Sequence, residues 1–162
     1  MQLSTLFSMQ RELDTFIEKN QQVNKDVFFE KGLALLVELS ELANESRCFK
    51  FWSTKGPSEK DVILEEYVDS IHFLLSLGIE IGLDSLSEWP EDEEVIGDLT
   101  HLFIETSNAI HQFLLKKDMV SYKKVWVHYG GIAKKLCFTY DEIINAYIEK
   151  NEENYKRQHS GY

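Results

Sequence analysis

The sequence predicts an all-α fold, an antiparallel helical bundle in which residues 1–162 form one domain. Apolar residues recur at spacings of three and four along most of the chain, as they do in a helix that buries one face. No segment shows the strict apolar–polar alternation of a half-buried strand. The two prolines, Pro57 and Pro90, lie in polar clusters between helical segments, where they separate the elements.

The first two helices precede the first break in the pattern. The spacing of six apolar residues predicts the first helix, namely Leu3, Leu6, Phe7, Leu13, Phe16 and Ile17. A second helix is predicted for residues 26–48, where apolar residues occupy nearly every side of the helix. The polar stretch STKGPSEKD, residues 53–61, ends this pattern, and its acidic residues suit the first turn of a further helix.

Four more helices follow. The third is predicted for residues 60–82, and the break WPEDEEVIGD, residues 89–98, separates it from a fourth at residues 96–115. A short fifth helix is predicted for residues 122–128, because the glycines of YGGIAK, residues 129–134, indicate a softer break. The last helix is predicted for residues 140–157.

Composition and charge exclude several classes of protein. A net charge of −11 repels duplex nucleic acid, so no nucleic-acid partner is expected. The chain has no apolar run of transmembrane length and no signal-peptide pattern, so we expect a cytoplasmic protein with no membrane partner. Cys48 and Cys137 lie among apolar residues and are expected to be reduced thiols in or near the core.

The second predicted helix carries an acidic stripe. Glu38, Glu41 and Glu45 fall on one narrow side of a helix that is otherwise apolar. A solvated face is the ordinary explanation for such a stripe. Because this helix has little room for a solvated face, we expect the acidic side to point inward or into a cleft. Buried carboxylates repel one another unless a cation joins them.

The third predicted helix repeats the arrangement with Glu66 and Asp69, three residues apart among apolar neighbours. A short loop joins the two helices, which favours antiparallel packing and brings the two acidic pairs face to face. Four carboxylates without a thiol or imidazole suit Mg²⁺, which shares its coordination with waters and substrate phosphates. Mn²⁺ is the expected substitute, because it prefers the same oxygen ligands.

A di-iron carboxylate site is the rival interpretation of these acids. Such bundles use E-x-x-H twice, and the sequence contains no E-x-x-H. D-x-x-H occurs at Asp69/His72 and at Asp98/His101. The second pair follows a turn, where Asp98 is better explained as a helix cap, and a redox site is therefore not expected.

The chain resembles the dimeric all-α dUTPase family, which is related to the MazG-type nucleoside triphosphate pyrophosphatases. It shares the pair E-x-x-E and E-x-x-D, here Glu38/Glu41 and Glu66/Asp69, separated by 24 residues. The flank NESRCFKFWS, the helix VDSIHFLLSLGIE and the ending KNEENYKRQHSGY, which matches K-N-x-x-N-x-x-R-Q-x-x-G-Y, also resemble the family. These blocks are spread over the whole chain.

The resemblance implies hydrolysis of dUTP to dUMP and pyrophosphate by a homodimer, with dUDP an open second substrate. It implies Mg²⁺ bound by Glu38, Glu41, Glu66 and Asp69, with Glu38 activating the attacking water. Phosphoryl transfer needs neutralised oxygens and a positioned water, and these residue types suit both tasks.

Matching positions suggest residues that bind the substrate. Trp52 would pack against uracil, and Gln10 and Asn154 are candidates for its hydrogen-bonding edge. His72 would form a hydrogen bond with the 3′-hydroxyl. Phe73 would pack against the sugar and exclude a 2′-hydroxyl. Structural roles remain open for Trp52, Gln10, His72 and Phe73. The remaining candidates, for phosphate, are Lys150 and Arg157.

The tail NEENYKRQHSGY is expected to order over bound nucleotide and exclude water, although its composition is typical of a frayed end. Asp14 stands where some relatives have Asn near the base, so the detailed uracil contacts stay open.

Two alternative functions stay open. One is a related pyrophosphatase for another triphosphate such as dCTP, and the other is a non-catalytic acidic helical dimer.

Overall fold

A computed structural model describes residues 2–91 and 97–161. Within these residues the chain forms six helices and no strand, with one isolated bridge between Gln2 and Glu88. The all-α prediction is confirmed. The helices are α1 Ser4–Asn20, α2 Phe28–Ser46, α3 Lys60–Glu80, α4 Leu99–Lys116, α5 Met119–Lys135 and α6 Tyr140–His159.

Local side-chain caps begin the last three helices. Thr139 and Glu142 form a capping box at the start of α6, so each satisfies a backbone N–H of the other. Asp98 caps α4 by accepting from the backbone N–H of His101, which is the capping role predicted for it. Asp118 caps α5 in the same way. The predicted α4 start at residue 96 lies outside the described residues.

The predicted extent of α5 is wrong. The helix runs through the glycine pair that indicated a break and ends at Lys135. The indole N–H of Trp89 donates to the Trp126 carbonyl at 2.9 Å, and a Cβ built at Gly130 would lie 3.1 Å from the same indole nitrogen. Gly130 therefore allows close packing of Trp89 against α5, and it does not end the helix.

Helices α2 and α3 are antiparallel, as predicted from their short connection. Near the start of α2, the ammonium of Lys31 lies 2.5 Å from the carboxylate of Glu80 at the end of α3. Near the end of α2, Glu45 accepts a hydrogen bond from the hydroxyl of Ser58, just before α3. This alignment brings the middles of the two helices, and with them the acidic pairs, opposite one another.

Helices α1 and α6 flank α3 and run in the same direction as it. Gln10 of α1 and Tyr147 of α6 both reach His72 of α3, and Lys60 at the start of α3 pairs with Glu142 at the start of α6. The core between these helices and the α4–α5 pair is aromatic. Its largest fully buried side chains are Trp126, Tyr67, Tyr122, Tyr129, Tyr147, Phe28 and Phe113.

Two surface features differ from the sequence expectation. Cys48 is partly buried as expected, but Cys137, which follows the end of α5 with a φ of 58°, is exposed. The apolar side of α2 is also only partly covered, and Phe29, Leu33 and Val37 are 63%, 63% and 47% exposed. None of the six helices in the described part of the chain combines the length and the apolar composition that crossing a bilayer requires.

Candidate active site

Three carboxylates converge between α2 and α3. Each of Glu38, Glu66 and Asp69 offers an oxygen within 4.8 Å of the others, and all three are half-buried. Glu38 lies on α2, and Glu66 and Asp69 lie one turn apart on α3. The antiparallel register described above brings them together. The predicted meeting of acids from two neighbouring helices is therefore present in the structure.

The acidic cluster, Glu38, Glu66 and Asp69, favours the protonated form of its members. Burial, followed by the charges of Asp69, Glu41 and Glu66, raises the pKa of Glu38 to about 7. Burial and neighbouring carboxylates likewise raise the pKa of Glu66. The pKa of Asp69 is raised by burial, against the opposing effect of its hydrogen bond from Lys150.

The other two acids of the α2 stripe lie at the edge of the acidic cluster. Glu41 is exposed, and its oxygens fall outside the group that lies within 4.8 Å, although its charge raises the pKa of both Glu38 and Glu66. Glu45 faces the loop before α3, where it accepts from Ser58. Of the four predicted metal ligands, three therefore converge and Glu41 borders them from the solvent side.

The donor set of the acidic cluster fits a hard divalent cation. Its ligand atoms are all carboxylate oxygens, and their mutual repulsion is what a bound cation relieves. A cation with oxygen-only preference, which keeps open positions for water or phosphate, matches three converging carboxylates.

One side chain already supplies positive charge to the acidic cluster. The ammonium of Lys150, which is 7% exposed, lies 2.9 Å from a carboxylate oxygen of Asp69 and 2.7 Å from one of Glu65. Arg157, two turns further along α6, pairs with Glu153 at 2.5 Å. Both predicted phosphate ligands therefore lie near the acidic cluster, bonded to acids.

A cleft of about 380 Å³ opens beside the acidic cluster. Glu38 and Asp69 belong to both its wall and the acidic cluster, so the cleft leads directly to the carboxylates. Eight predicted site residues line it, namely Gln10, Glu38, Asp69, His72, Phe73, Lys150, Asn154 and Arg157. These residues come from α1, α2, α3 and α6, and the last three of these helices carry sequence blocks of the resemblance.

Trp52 lies outside the cleft, whereas the polar tail extends α6 alongside α1. Trp52 lies on the loop after α2, 65% exposed, with its ring 5.9 Å from that of Phe49 and 5.1 Å from that of Phe51. It does not line the cleft. The tail continues α6 to His159 and packs on α1, where the ring of Tyr155 lies 5.0 Å from that of Phe16. Tyr162 lies outside the described residues.

The predicted site residues leave out four polar residues that line the cleft, and of these only Asp14 was expected near the base; the four are Asp14, Glu18, Lys31 and Ser76. Asp14 and Ser76 line it together, and the hydroxyl of Ser76 donates to a carboxylate oxygen of Asp14 at 2.6 Å. Lys31 also lines it and pairs with Glu80. A signal was present, because Asp14 lies four residues after Gln10 and Ser76 four residues after His72, on the same helix faces.

Comparison with known proteins identifies a family. A family model described as dUTPase matches residues 2–162. A search of the curated proteins found no match to the chain.

Proposed function

The chain belongs to the dUTPase family, and on this premise we propose how its acidic cluster and cleft carry out the reaction. The activity is that of a dUTP diphosphatase, which hydrolyses dUTP to dUMP and pyrophosphate. The proposal concerns the metal, the roles of individual residues and the assembly. We also propose that residues 1–162 act as one domain, because the family match extends from residue 2 to residue 162.

Mg²⁺ is the proposed cation, held by Glu38, Glu66 and Asp69 with Glu41 at the solvent side, and Mn²⁺ is its proposed substitute. Bound there, it would neutralise phosphate oxygens and lower the pKa of a coordinated water. Three carboxylate oxygens converge within 4.8 Å, and two of them, from Glu38 and Asp69, lie on the wall of a cleft large enough for part of a nucleotide. This arrangement carries the proposal.

Glu38 is the proposed general base. It is half-buried on the cleft wall beside the other carboxylates of the acidic cluster. A carboxylate next to a bound cation can orient the attacking water and take its proton. Glu38 would accept the proton of the attacking water.

Cations of α6 are proposed to bind the phosphate chain. Lys150 and Arg157 line the cleft and lie two turns apart on one helix face. Each is bonded to an acid in the structure, so binding phosphate would exchange a carboxylate for a phosphate oxygen. The exchange keeps each cation paired.

The sugar and base are proposed to occupy the part of the cleft between α1, α3 and α6. His72 and Phe73 are the proposed sugar contacts, and Gln10 and Asn154 the proposed base contacts. Trp52 would reach the base only if its loop moved from the exposed position described above. We place dUDP as a second substrate, since it shares the same base and sugar.

A homodimer is the proposed assembly. The exposed apolar stripe of α2, formed by Phe29, Leu33 and Val37, follows one helix face and leads in one more turn to Glu41. Such a continuous apolar face is typical of a surface that a partner covers. A second copy seated there would adjoin the acidic cluster.

Substitution of the acidic cluster tests the proposed function. Glu38→Gln and Asp69→Asn should each lower Mg²⁺-dependent hydrolysis of dUTP on the order of 100-fold, as losing a charge-stabilising group does. Glu30→Gln is the matched control, because Glu30 lies exposed on α2 and pairs with Lys25. Equal activity in all four proteins would contradict the proposed site.

Substrate choice is tested with a panel of triphosphates. The wild-type protein should prefer dUTP over dCTP and over UTP when assayed with Mg²⁺. Preference for another base would contradict the base subsite proposed above. No hydrolysis of any triphosphate would favour the non-catalytic dimer.

A further inference from the structure

A continuous set of hydrogen bonds joins α1, α3 and α6 at the wall of the cleft. Asp14 accepts from the Gln10 amide nitrogen at 2.8 Å through one carboxylate oxygen and from the Ser76 hydroxyl at 2.6 Å through the other. The Gln10 amide oxygen lies 2.7 Å from His72 Nδ1 and 2.8 Å from the Tyr147 hydroxyl. All five side chains belong to the described residues.

The carboxylate of Asp14 determines which way the Gln10 amide faces. An ionised carboxylate can only accept hydrogen bonds, so the NH₂ group of Gln10 must face Asp14. The amide oxygen then faces His72 and Tyr147. Gln10 is 3% exposed, and reversing its amide would place oxygen against oxygen in a buried site.

The orientation of Gln10 in turn determines the tautomer of His72. An amide oxygen can only accept, so the hydrogen of the neutral imidazole must reside on Nδ1 and donate to Gln10. The imidazole is neutral at physiological pH, because burial and then the charge of Lys150 lower the pKa of His72 to about 3. The ring also stacks on Tyr147, with centroids 4.1 Å apart.

His72 Nε2 is then an acceptor that lacks a donor. The side chain is 5% exposed, and Nε2 has no hydrogen-bond partner among the described residues. His72 lines the cleft, so a bound ligand can supply the donor. A buried acceptor without a partner carries a free-energy penalty that a ligand O–H or N–H relieves.

We propose that Asp14 is a positioning residue for substrate recognition, which acts through Gln10 to keep His72 Nε2 free of hydrogen and so selects a ligand that donates there. The matching group of a deoxynucleotide is the 3′-hydroxyl. The choice of ligand rests on the proposed function, whereas the tautomer is a property of the free protein. A substituent that can only accept, such as fluorine at the 3′ position, is disfavoured.

The tautomer is measured by ¹⁵N NMR on the full-length protein labelled at histidine, with His72→Gln to assign the His72 signals. In the wild type, Nδ1 should have the shift of a protonated nitrogen and Nε2 that of an unprotonated one. Asp14→Leu removes the acceptor that orients Gln10, and the signals should move toward those of mixed tautomers. The reverse assignment in the wild type would overturn the proposal, as would unchanged signals in a folded Asp14→Leu protein.

Three other variants separate positioning from general structural support. Asp14→Asn should keep the wild-type tautomer, because its amide oxygen can still accept from Gln10. Glu18→Gln is the matched control on the same helix, since Glu18 pairs with Lys31. Gln10→Met removes the acceptor of the Nδ1 hydrogen directly, and it replaces Asp14→Leu if that variant does not fold. Loss of the tautomer in Glu18→Gln, or its retention in Gln10→Met, would contradict the proposal.

Discrimination at the 3′ position gives the functional readout. The wild type should have a KM for 3′-fluoro-2′,3′-dideoxyuridine triphosphate roughly tenfold above that for dUTP, the effect of one lost hydrogen bond. In Asp14→Leu this ratio should fall toward one, and Asp14→Asn should restore it. Equal KM values in the wild type would overturn the role in selection. Inactivity toward dUTP with the expected tautomer would instead contradict only the proposed function.

Discussion

The ammonium of Lys150 on α6 lies 2.9 Å from the carboxylate of Asp69 on α3. This ion pair joins the helix that carries the C-terminal sequence block to the helix that carries the second acidic pair. Lys150 is 7% exposed and also lies 2.7 Å from Glu65, so it balances two carboxylates at once. The protein thus places an internal cation at the edge of the acidic cluster.

Removing this cation should destabilise the protein. Lys150→Met leaves Asp69 and Glu65 without their partner, and the free energy of unfolding should fall by about 1–3 kcal/mol, less than for a fully buried pair. Urea unfolding in EDTA at pH 7.5 measures the change. Lys60→Met is the control, because its pair with Glu142 is exposed to solvent and should contribute less than the pairs of Lys150. Equal losses in the two variants would contradict the role assigned to Lys150.

The raised pKa of Glu38 predicts how the metal-free protein responds to pH. Its pKa rises from 4.5 to about 7, so the folded state holds this proton more tightly than the unfolded chain does. The group therefore destabilises the folded state as pH rises from about 4.5 to 7, and it contributes no penalty below that range. Above it the penalty is constant.

Comparison of wild type with Glu38→Gln isolates this effect. In EDTA, the urea midpoint of the wild type should fall relative to that of the variant between pH 5 and pH 8. Mg²⁺ should reduce the difference, because a cation compensates the carboxylate charges. If the difference between the two urea midpoints stays constant across this range, with and without Mg²⁺, then ionisation of Glu38 does not destabilise the folded protein, and the prediction is wrong.

Helical periodicity explains why part of the site could be predicted from the sequence. Spacing of three residues places Glu66 and Asp69 on one side of α3, and the short loop after α2 brings Glu38 opposite them. The exposed position of Glu41 could not be predicted in this way, because it depends on how far each helix is rotated about its axis. Periodicity fixes a face, and packing determines which edge of that face reaches solvent.

The contacts missed from sequence are those between elements that are distant along the chain. Gln10 meets His72 at 2.7 Å across 62 positions, and Asp14 meets Ser76 across the same separation. Only the register of α1 against α3 creates these pairs. The extent of α5 was missed for a related reason, because Trp89 packing on Gly130 is a long-range contact.

The C-terminal part of α6 should contribute to binding of dUTP. Asn154 and Arg157 line the cleft, so Asn154→Leu and Arg157→Met should each raise the KM for dUTP by roughly tenfold, through loss of one hydrogen bond or charge-assisted contact. Lys156→Met is the matched control, because Lys156 is exposed on the same turn of α6. Steady-state kinetics with Mg²⁺ measure the effect.

Truncation tests the tail as a whole. A protein that ends at Lys150 loses the contacts of α6 with α1, including that between Tyr155 and Phe16, and it should hydrolyse dUTP poorly even where circular dichroism shows the remaining helices intact. Full activity of the shortened protein would refute a covering role for the tail.

The apolar stripe of α2 is the predicted contact surface of the proposed homodimer. Leu33 is 63% exposed with apolar neighbours one turn away on each side, so Leu33→Glu would place a charge in the middle of the contact. Desolvating that charge should weaken the dimer on the order of 100-fold. Sedimentation velocity across a concentration series measures the change.

Ile148→Glu is the control, because Ile148 is 36% exposed on α6, a helix that packs against α1 and α3. A wild type that stays monomeric at high concentration would contradict the homodimer. Dissociation caused by Ile148→Glu, with Leu33→Glu still dimeric, would place the interface on α6 and not on α2.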